Sequence, residues 1–340
     1  MNERLAKLRE TVARYATRYA KYGRYAGVAG YSVFYVVCLF VFASLTAPCG
    51  TLKERIVASF NEAQAASGGQ WALQIDDLGS YWLSGIKAKG VRLLSAPTEP
   101  GKPPGRIELQ RATVRYSLLP LLVGNSDLNF DVEGFDGEIS GSYDVSGRDT
   151  SFEAQFDSVD VGKFEPLAQW LDGVPIFGRL NGTVRLATPE GKVAKDTGSF
   201  SLEIKDMAVG DDKAKIKGAV TLPRINVGTL TFAAEAKEGV LKISKLSAGG
   251  KDLDLQGDGR ITLRETADDS LCDAQLRFRL SDGYRGKNDV TKSVFGAPGS
   301  AAPALFELAD PKIKQAKRAD GFYSWALRGP LGHLDFAPKP

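Results

Sequence analysis

The chain has 340 residues, of which 43% are apolar and 25% are charged, and it contains 37 glycines. This composition is too apolar for a disordered chain and is sufficient for one or two packed domains. The single histidine, His333, excludes multi-histidine metal sites, and any Ser/His/Asp triad or Cys/His pair would depend on this one near-terminal imidazole.

The net charge of +3 is unevenly distributed. Residues 1–25 contain seven Lys or Arg against two Glu, so the rest of the chain sums to −2. A basic surface is the electrostatic signature of nucleic-acid binding, and the main body lacks that excess. We therefore expect no nucleic-acid partner.

A membrane anchor is predicted at residues 27–47, a run of 21 residues without Asp, Glu, Lys, Arg or His. At about 1.5 Å per residue, such a helix crosses a hydrocarbon core of roughly 30 Å. The preceding basic residues, which include Arg14, Arg18, Lys21 and Arg24, predict a cytoplasmic tail over residues 1–26, with the later residues across the membrane. A cleaved signal peptide is the alternative, which the long basic head and Pro48 disfavour.

The exported part begins with a predicted helix. Residues 51–66 carry apolar side chains at helical spacing and are followed by Ser67-Gly68-Gly69, which indicates a membrane-exit segment over residues 48–69. Residues 70–340 then form a β-rich domain, because apolar and polar residues alternate with a period of two. The clearest apolar positions are Phe200, Leu202 and Ile204, then Leu253 and Leu255, then Leu276, Phe278 and Leu280.

Turn signals divide this domain into roughly 13 to 15 strands. Asp-Gly pairs begin at 136, 172, 258, 282 and 320, and Glu-Gly pairs begin at 133, 190 and 238. Only residues 163–172 read as a second helix in this domain. Proline-rich or glycine-rich stretches predict loops at residues 96–105 and 296–303.

A weak repeat of the form apolar-x-Gly-x-apolar-x-apolar starts at residues 139, 180 and 216, and again at residue 255 with glycine at the fifth place. Its regular spacing favours an elongated stack of hairpins over a closed barrel, since each unit needs neighbours to bury its apolar side. The alternative is that glycine-flanked strands simply recur in any β-rich chain.

The candidate sites for a metal ion or for catalysis lack residues that such sites require. Residues 251–259 resemble a calcium loop, but Gln256 and Leu263 occupy positions where oxygen ligands are required. We expect no metal, no cofactor and no enzymatic activity. Cys49 and Cys272 lie on the exported side, where a disulfide is chemically permitted but disfavoured by so sparse a set.

Several segments resemble the protein N family of the type II secretion system, in its myxobacterial form. They are residues 222–228 (LPRINVG), 250–255 (GKDLDL), 277–284 (RFRLSDGY), 293–296 (SVFG) and 319–323 (ADGFY). Residues 52–56 (LKERI) and 117–124 (SLLPLLVG) also resemble the wider AsmA-like group of envelope proteins. The resemblance implies a single-pass protein of the bacterial inner membrane whose C-terminal body, a curled, taco-shaped antiparallel sheet, lies in the periplasm.

Two functions follow from this resemblance. The first is a non-catalytic accessory role in type II secretion, with other secretion components as partners. The second is a lipid-binding or lipid-transfer module in which membrane phospholipid occupies the curled sheet. For that second role, the candidate apolar groove consists of Phe200, Leu202, Ile204, Leu276, Phe278 and Leu280.

Overall fold

The structure is a computed structural model. It describes residues 49–66, 71–82, 84–95, 105–117, 120, 124–165, 174–213, 215–216, 220–221, 223–266, 268–300, 304–309 and 311–339. The predicted cytoplasmic tail and the predicted transmembrane helix lie outside these residues. Residues 166–172 of the predicted second helix, residues 96–104 of the proline-rich loop and residues 301–303 also lie outside them. Among the helices that the structure describes, none combines the length and the apolar character needed to cross a membrane.

The body is mainly β, built on one antiparallel sheet of fourteen strands. The strands are β1 (Trp71–Tyr81), β2 (Gly85–Ser95), β3 (Arg106–Tyr116), β4 (Ser126–Gly134), β5 (Gly137–Ser146), β6 (Asp149–Asp160), β7 (Ile176–Thr188), β8 (Thr197–Val209), β11 (Ile225–Lys237), β12 (Val240–Gly249), β13 (Leu253–Thr262), β14 (Leu271–Leu280), β15 (Tyr323–Pro330) and β16 (Asp335–Pro338). The short strands β9 (Lys215–Ile216) and β10 (Val220–Thr221) pair separately with each other.

The sheet is a meander in which each strand pairs with the next one of the large sheet along the chain. Because β1 and β16 occupy the two ends of the strand order, the described sheet is open and not closed into a barrel. At about 4.8 Å between neighbouring strands, the sheet measures about 60 Å from β1 to β16 along its surface.

Side chains of one chemical type share a face across the whole sheet. On β8, Leu202 pairs with Gly182 of β7 and Phe232 of β11, while its polar neighbour Ser201 pairs with Thr183 and Ala233. Since residues paired across an antiparallel ladder point to the same side, the register carries this division from strand to strand. We call the two sides the apolar face and the polar face.

Irregular strands keep this division in phase. In β1 to β3 the spacing of apolar residues lengthens from two to three, at Ile75 to Leu78, at Ala88 to Val91 and at Leu109 to Ala112. These irregular segments are aligned, because Ala88 pairs with both Leu78 and Ala112. A bulge between β3 and β4 then restores regular spacing.

Glycines on the apolar face stand where neighbouring backbones approach most closely. A Cβ added to Gly182 would lie 2.1 Å from the carbonyl oxygen of Ser201, and Gly182 has a φ of +139°. A Cβ on Gly141 would lie 2.1 Å from the carbonyl oxygen of Glu153. Both glycines belong to the apolar-x-Gly repeat, so the repeat marks positions of close approach within a strand.

The sheet bends toward its apolar face. Cα atoms of β11 and β13 come within 8 Å of each other although β12 lies between them, whereas a flat sheet would hold them about 9.6 Å apart. Leu186 of β7 and Ala274 of β14 both pack on the buried cluster formed by Ala234, Ala236, Leu241 and Ile243. The described sheet is therefore bent around β12.

Helix α1 (Cys49–Ala66) covers the first edge of the sheet. Ile56 packs on Leu78, Ala88 and Val91. The amide of Leu73 in β1 donates a 2.8 Å hydrogen bond to Oδ1 of Asn61, so the helix satisfies part of the edge that an exposed strand would leave unpaired. The predicted helix over residues 51–66 is confirmed, with two more residues at its start.

Four short helices lie between β14 and β15. They are α2 (Asp282–Arg285), α3 (Asp289–Phe295), α4 (Leu305–Ala309) and α5 (Pro311–Gln315). Sequence periodicity misses them because each is shorter than two helical turns. The features that specify these helices are local N-caps. The side chain of Ser281 accepts a hydrogen bond from the amide of Tyr284, and Asn288 and Thr291 form a capping box.

Several turn and repeat predictions are wrong. Glu133-Gly134 lies at the end of β4, and Asp282-Gly283 begins helix α2. Asp172-Gly173 lies outside the described residues. Asp258-Gly259 lies inside β13, because Gly259 pairs with Ala274 of β14 at a point where a Cβ would stand 2.4 Å from the Cα of Ala274. The repeat that starts at residue 216 falls on the small β9–β10 pair and not on the large sheet. By contrast, Phe135-Asp136 and Glu238-Gly239 form the tight turns expected of hairpins, each with both φ angles positive.

Replacing Gly182 by alanine tests the close approach of β7 and β8. The new Cβ would collide with a backbone carbonyl at an unfavourable φ, so Gly182→Ala should lower the free energy of unfolding by about 2–3 kcal/mol. The matched control is Gly79→Ala, because a Cβ on Gly79 meets no atom within 4 Å and should change stability by less than about 0.5 kcal/mol. Urea unfolding followed by circular dichroism measures both, and equal midpoints would contradict the close approach.

Candidate functional site: the apolar face of the sheet

The six residues of the predicted groove lie on the apolar face, in two separate places. Phe200, Leu202 and Ile204 are on β8, and Leu276, Phe278 and Leu280 are on β14. Three strands of the large sheet, β11 to β13, separate the two sets. The face is therefore continuous, but the two triplets do not meet in one pocket.

Most of the length of the apolar face is covered or self-packed. At its start α1 covers β1 to β3, and around β12 the curl buries Ala234, Ala236, Leu241 and Ile243. At its end the short helices α2 to α5 pack on β14 and β15, where Tyr284, Thr291 and Ala316 are completely buried. These regions have the character of an ordinary core.

The apolar face of β4 to β8 lacks such a cover among the described residues, and we call it the open segment. Phe152 on β6 is 37% exposed and its partner Tyr143 on β5 is 43% exposed. The neighbouring large side chains are half-buried; they are Leu128, Phe130, Val132, Ile139, Phe156, Leu180, Val184, Leu186, Phe200, Leu202 and Ile204. A contiguous apolar patch of this kind is typical of a binding surface.

Aromatic rings organise the centre of the open segment. Phe130 on β4 and Phe152 on β6 stack with their centroids 6.1 Å apart, although β5 runs between their strands. They meet there because Gly141, which pairs with Phe130, has no side chain in the intervening position. The open segment thus presents aromatic and aliphatic groups with glycine gaps between them.

A small cavity lies at the far end of the apolar face. It has a volume of about 180 Å³ and lies between the end of β14 and helices α2 to α5. Its lining consists of Phe278, Leu280, Phe295, Phe306, Tyr323, Gly321, Arg279, Asp282, Arg285 and Lys317. Phe278 and Leu280 therefore line this cavity and do not extend the open segment.

A buried carboxylate fixes the helices over this end. Oε1 of Glu307 in α4 accepts hydrogen bonds of 2.6 Å from both Nζ of Lys317 and the hydroxyl of Tyr323 in β15. Burial alone raises the pKa of Glu307, but the hydrogen bonds from Lys317 and Tyr323 outweigh it and hold the pKa below its ordinary value of 4.5. Burial and the contact with Glu307 raise the pKa of Tyr323, which therefore remains a donor.

The polar face is held in register by ion pairs between neighbouring strands. Glu153 of β6 lies 2.7 Å from Arg185 of β7, and Asp254 of β13 lies 2.7 Å from Arg279 of β14. A side-chain hydrogen bond with Asp131, together with the negative charges of Asp131 and Asp157, raises the pKa of Glu138. Such exposed pairs contribute little to stability, but they distinguish the wet side of the sheet from the dry side.

The residues of the open segment outside β8 were missed by sequence reasoning. Phe152, Ala154 and Phe156 alternate with Glu153 and Gln155, and Leu128, Phe130 and Val132 alternate with Asn129 and Asp131. This period-two signal is as clear as that of β8. The sequence does not show which of these strands keep their apolar face uncovered in the folded protein.

The polar candidates serve structural roles. Asp252, from the rejected calcium loop, is buried and its Oδ2 accepts 2.9 Å hydrogen bonds from the amide and the side chain of Asn226. Cys49 and Cys272 carry free thiols, with Cys272 buried on the apolar face. Among the described residues, no group of three or more His, Cys, Asp or Glu side chains is placed to hold a metal ion.

Comparison of the chain with protein-family models, with curated proteins and with solved structures gives no match.

Glu307→Gln tests how the short helices are held on the sheet. The variant keeps the shape of the side chain but loses its charge, so the free energy of unfolding at neutral pH should fall by about 1–3 kcal/mol, a range that allows for the partial exposure of Lys317. Because the folded pKa lies below the ordinary value, the contribution of Glu307 is complete above pH 4.5 and is lost as the pH falls further.

Unfolding measured from neutral pH down to pH 3 should therefore show the two proteins converging at the acidic end. Glu265→Gln, at an exposed turn between β13 and β14, is the matched control and should follow the parent chain throughout. A constant difference between parent and Glu307→Gln at every pH would contradict a charged Glu307 in the folded protein.

Proposed function

We propose that this chain binds acyl chains of membrane lipids on the open segment of its apolar face. The observation that carries the proposal is that Phe152 and Tyr143 are 37% and 43% exposed on an otherwise apolar surface. The surface is too extensive to be incidental, since it continues over five strands.

The dimensions of the open segment suit such a ligand. Five strands span about 20 Å at the usual strand spacing, while the acyl layer of one membrane leaflet is about 15 Å deep. Toward β12, where the sheet bends, Leu186 and Phe200 of the open segment pack on the buried cluster of β11 and β12. This side of the segment can therefore contact a narrow apolar chain on more than one side.

The chemistry of the open segment also suits an acyl chain. Its large side chains are Leu, Val, Ile, Phe and Tyr, and charged groups of these strands lie on the polar face. A polypeptide ligand would need partners for its own backbone groups, and among the described residues this face offers few of them, such as the hydroxyls of Ser126, Tyr143, Thr150 and Thr188. An acyl chain makes no such demand.

The accessory role in type II secretion stays a prediction. It depends on the resemblance of short segments, and no contact within the described residues bears on it. The placement of the chain in a bacterial inner membrane, with its body in the periplasm, is proposed on the same basis together with the predicted anchor.

A charge in the open segment tests lipid binding. Phe152→Glu should lower the amount of lipid that remains bound about tenfold, because burying the carboxylate beside an acyl chain costs at least about 1.4 kcal/mol. The full chain is extracted gently from its native membrane, and co-purified lipids and polypeptides are counted by mass spectrometry. Tyr143→Glu, on the strand paired with β6, serves as a second variant.

Gln155→Glu is the matched control, because it adds the same charge to the same strand on the polar face, at an exposed position. Circular dichroism confirms that each variant remains folded. Equal lipid retention in Phe152→Glu and Gln155→Glu would contradict the proposal. Recovery of secretion subunits without lipid above the level of an unrelated single-span protein would favour the accessory role instead.

A further inference from the structure

Two exposed aromatic side chains lie at one corner of the sheet, and we call this the apolar corner. Trp82, in the turn between β1 and β2, is 73% exposed, and Tyr116, at the end of β3, is 44% exposed. Neither belongs to the open segment, so the proposed lipid site does not account for their exposure.

Hydrogen bonds fix the hairpin turn to the end of β3. The hydroxyl of Ser84 donates to the carbonyl oxygen of Tyr116 over 2.6 Å, and the amide of Tyr116 donates to the carbonyl oxygen of Ser84 over 3.1 Å. Trp82 and Tyr116 are therefore presented together by a defined backbone. The sequence that continues from Tyr116 toward β4 is SLLPLLVG, which contains no charged residue.

Helix α1 points toward this corner. Asn61 contacts Leu73 and Lys53 donates to the carbonyl oxygen of Asp76, so α1 runs antiparallel to β1. From Asn61 the helix extends about 18 Å to Cys49, while from Leu73 the strand extends about 30 Å to Trp82. The apolar corner thus reaches about 12 Å beyond the start of α1 in the direction from which the chain arrives.

The chain that arrives there is the predicted anchor. The predicted anchor ends at residue 47, and only Pro48 separates it from Cys49, the first residue of α1. The bilayer that holds this anchor would therefore lie on the side of the apolar corner. The interfacial region of a bilayer is where Trp and Tyr side chains are enriched, because their rings are apolar and their polar atoms stay hydrated.

The other turns at the same end of the sheet differ in chemistry. They carry charged, exposed residues, namely Arg148, Glu190, Lys192, Lys195, Glu238, Arg264, Glu265 and Asp268. The turn between β15 and β16 is less charged, and Leu271 and Phe336 beside it are exposed, but this second apolar group lies at the opposite edge of the described sheet, away from α1. The bilayer that holds the predicted anchor would therefore contact the corner nearest α1.

We infer that the apolar corner inserts into the interfacial region of the phospholipid bilayer that holds the anchor. Trp82 and Tyr116 lie at the level of the headgroups. This contact fixes the orientation of the sheet on the membrane and is separate from lipid held on the open segment.

Quenching of Trp82 fluorescence by brominated lipid tests the inference. The full chain is placed in nanodiscs of phosphatidylethanolamine and phosphatidylglycerol, with a fraction of lipid brominated close to the headgroup. Trp82 is kept as the sole tryptophan by replacing Trp71, Trp170 and Trp325 with phenylalanine. The matched control carries Trp82→Phe and Arg148→Trp in that background, which moves the indole to a charged turn at the same end of the sheet.

Quenching at position 82 should exceed quenching at position 148 about twofold or more. Equal quenching at the two positions, in proteins with native circular dichroism, would overturn the inference. Adding Phe152→Glu separates it from the proposed function, because bilayer contact at Trp82 does not need the open segment. Quenching that disappears with Phe152→Glu would mean that the quencher was lipid on the apolar face, which would also overturn the inference.

Discussion

The constraint on which the rest of this structure depends is the phase of the apolar residues across fourteen strands. A one-residue slip in any strand would turn its apolar side chains to the polar face, where they would meet water and ion pairs. Where the apolar spacing lengthens to three, as from Phe156 to Val159 or from Ile243 to Leu246, the pairing shifts by a bulge at the same place. The bulges thus preserve the face and also bend the sheet.

A sheet with one continuous apolar face must cover that face or expose it. This chain covers the first strands with α1, covers the last strands with four short helices, and buries the apolar side chains of β11 and β12 by curling. Tight curling is available where glycine removes the obstructing side chain, as at Gly182. Over β4 to β8 no covering helix is found among the described residues, and the resulting exposure of Phe152 and Tyr143 is the basis of the functional proposal.

The strands and their dry faces could be predicted where the alternation is strict. The pattern of β8, with Phe200, Leu202 and Ile204, is uninterrupted, and the structure places all three on the apolar face. In strands with bulges, the residues of the apolar face could not be assigned from the sequence alone. A change of spacing from two to three, such as that between Leu109 and Ala112, interrupts the alternating pattern. The short helices α2 to α5 are specified by caps and by tertiary contacts such as Tyr284 with the carbonyl oxygen of Pro223.

For the candidate site too, the sequence shows local patterns but does not show how distant segments pack together. The sequence identifies which residues are apolar, and it placed Phe278 and Leu280 in a groove together with the residues of β8. Their actual separation depends on helices whose packing on β14 is a tertiary property. The same holds for Glu307 and Lys317, whose contact with Tyr323 closes that end of the apolar face.

Site-specific photocrosslinking inside cells tests the central claim most directly. A benzophenone amino acid is introduced at position 152, on the apolar face, or at position 155, on the polar face of the same strand, in the full chain. The account predicts lipid adducts at position 152, identified by mass spectrometry, and few at position 155. Equal lipid adducts at both positions, or no lipid adduct at position 152, would contradict an acyl-chain site on the open segment.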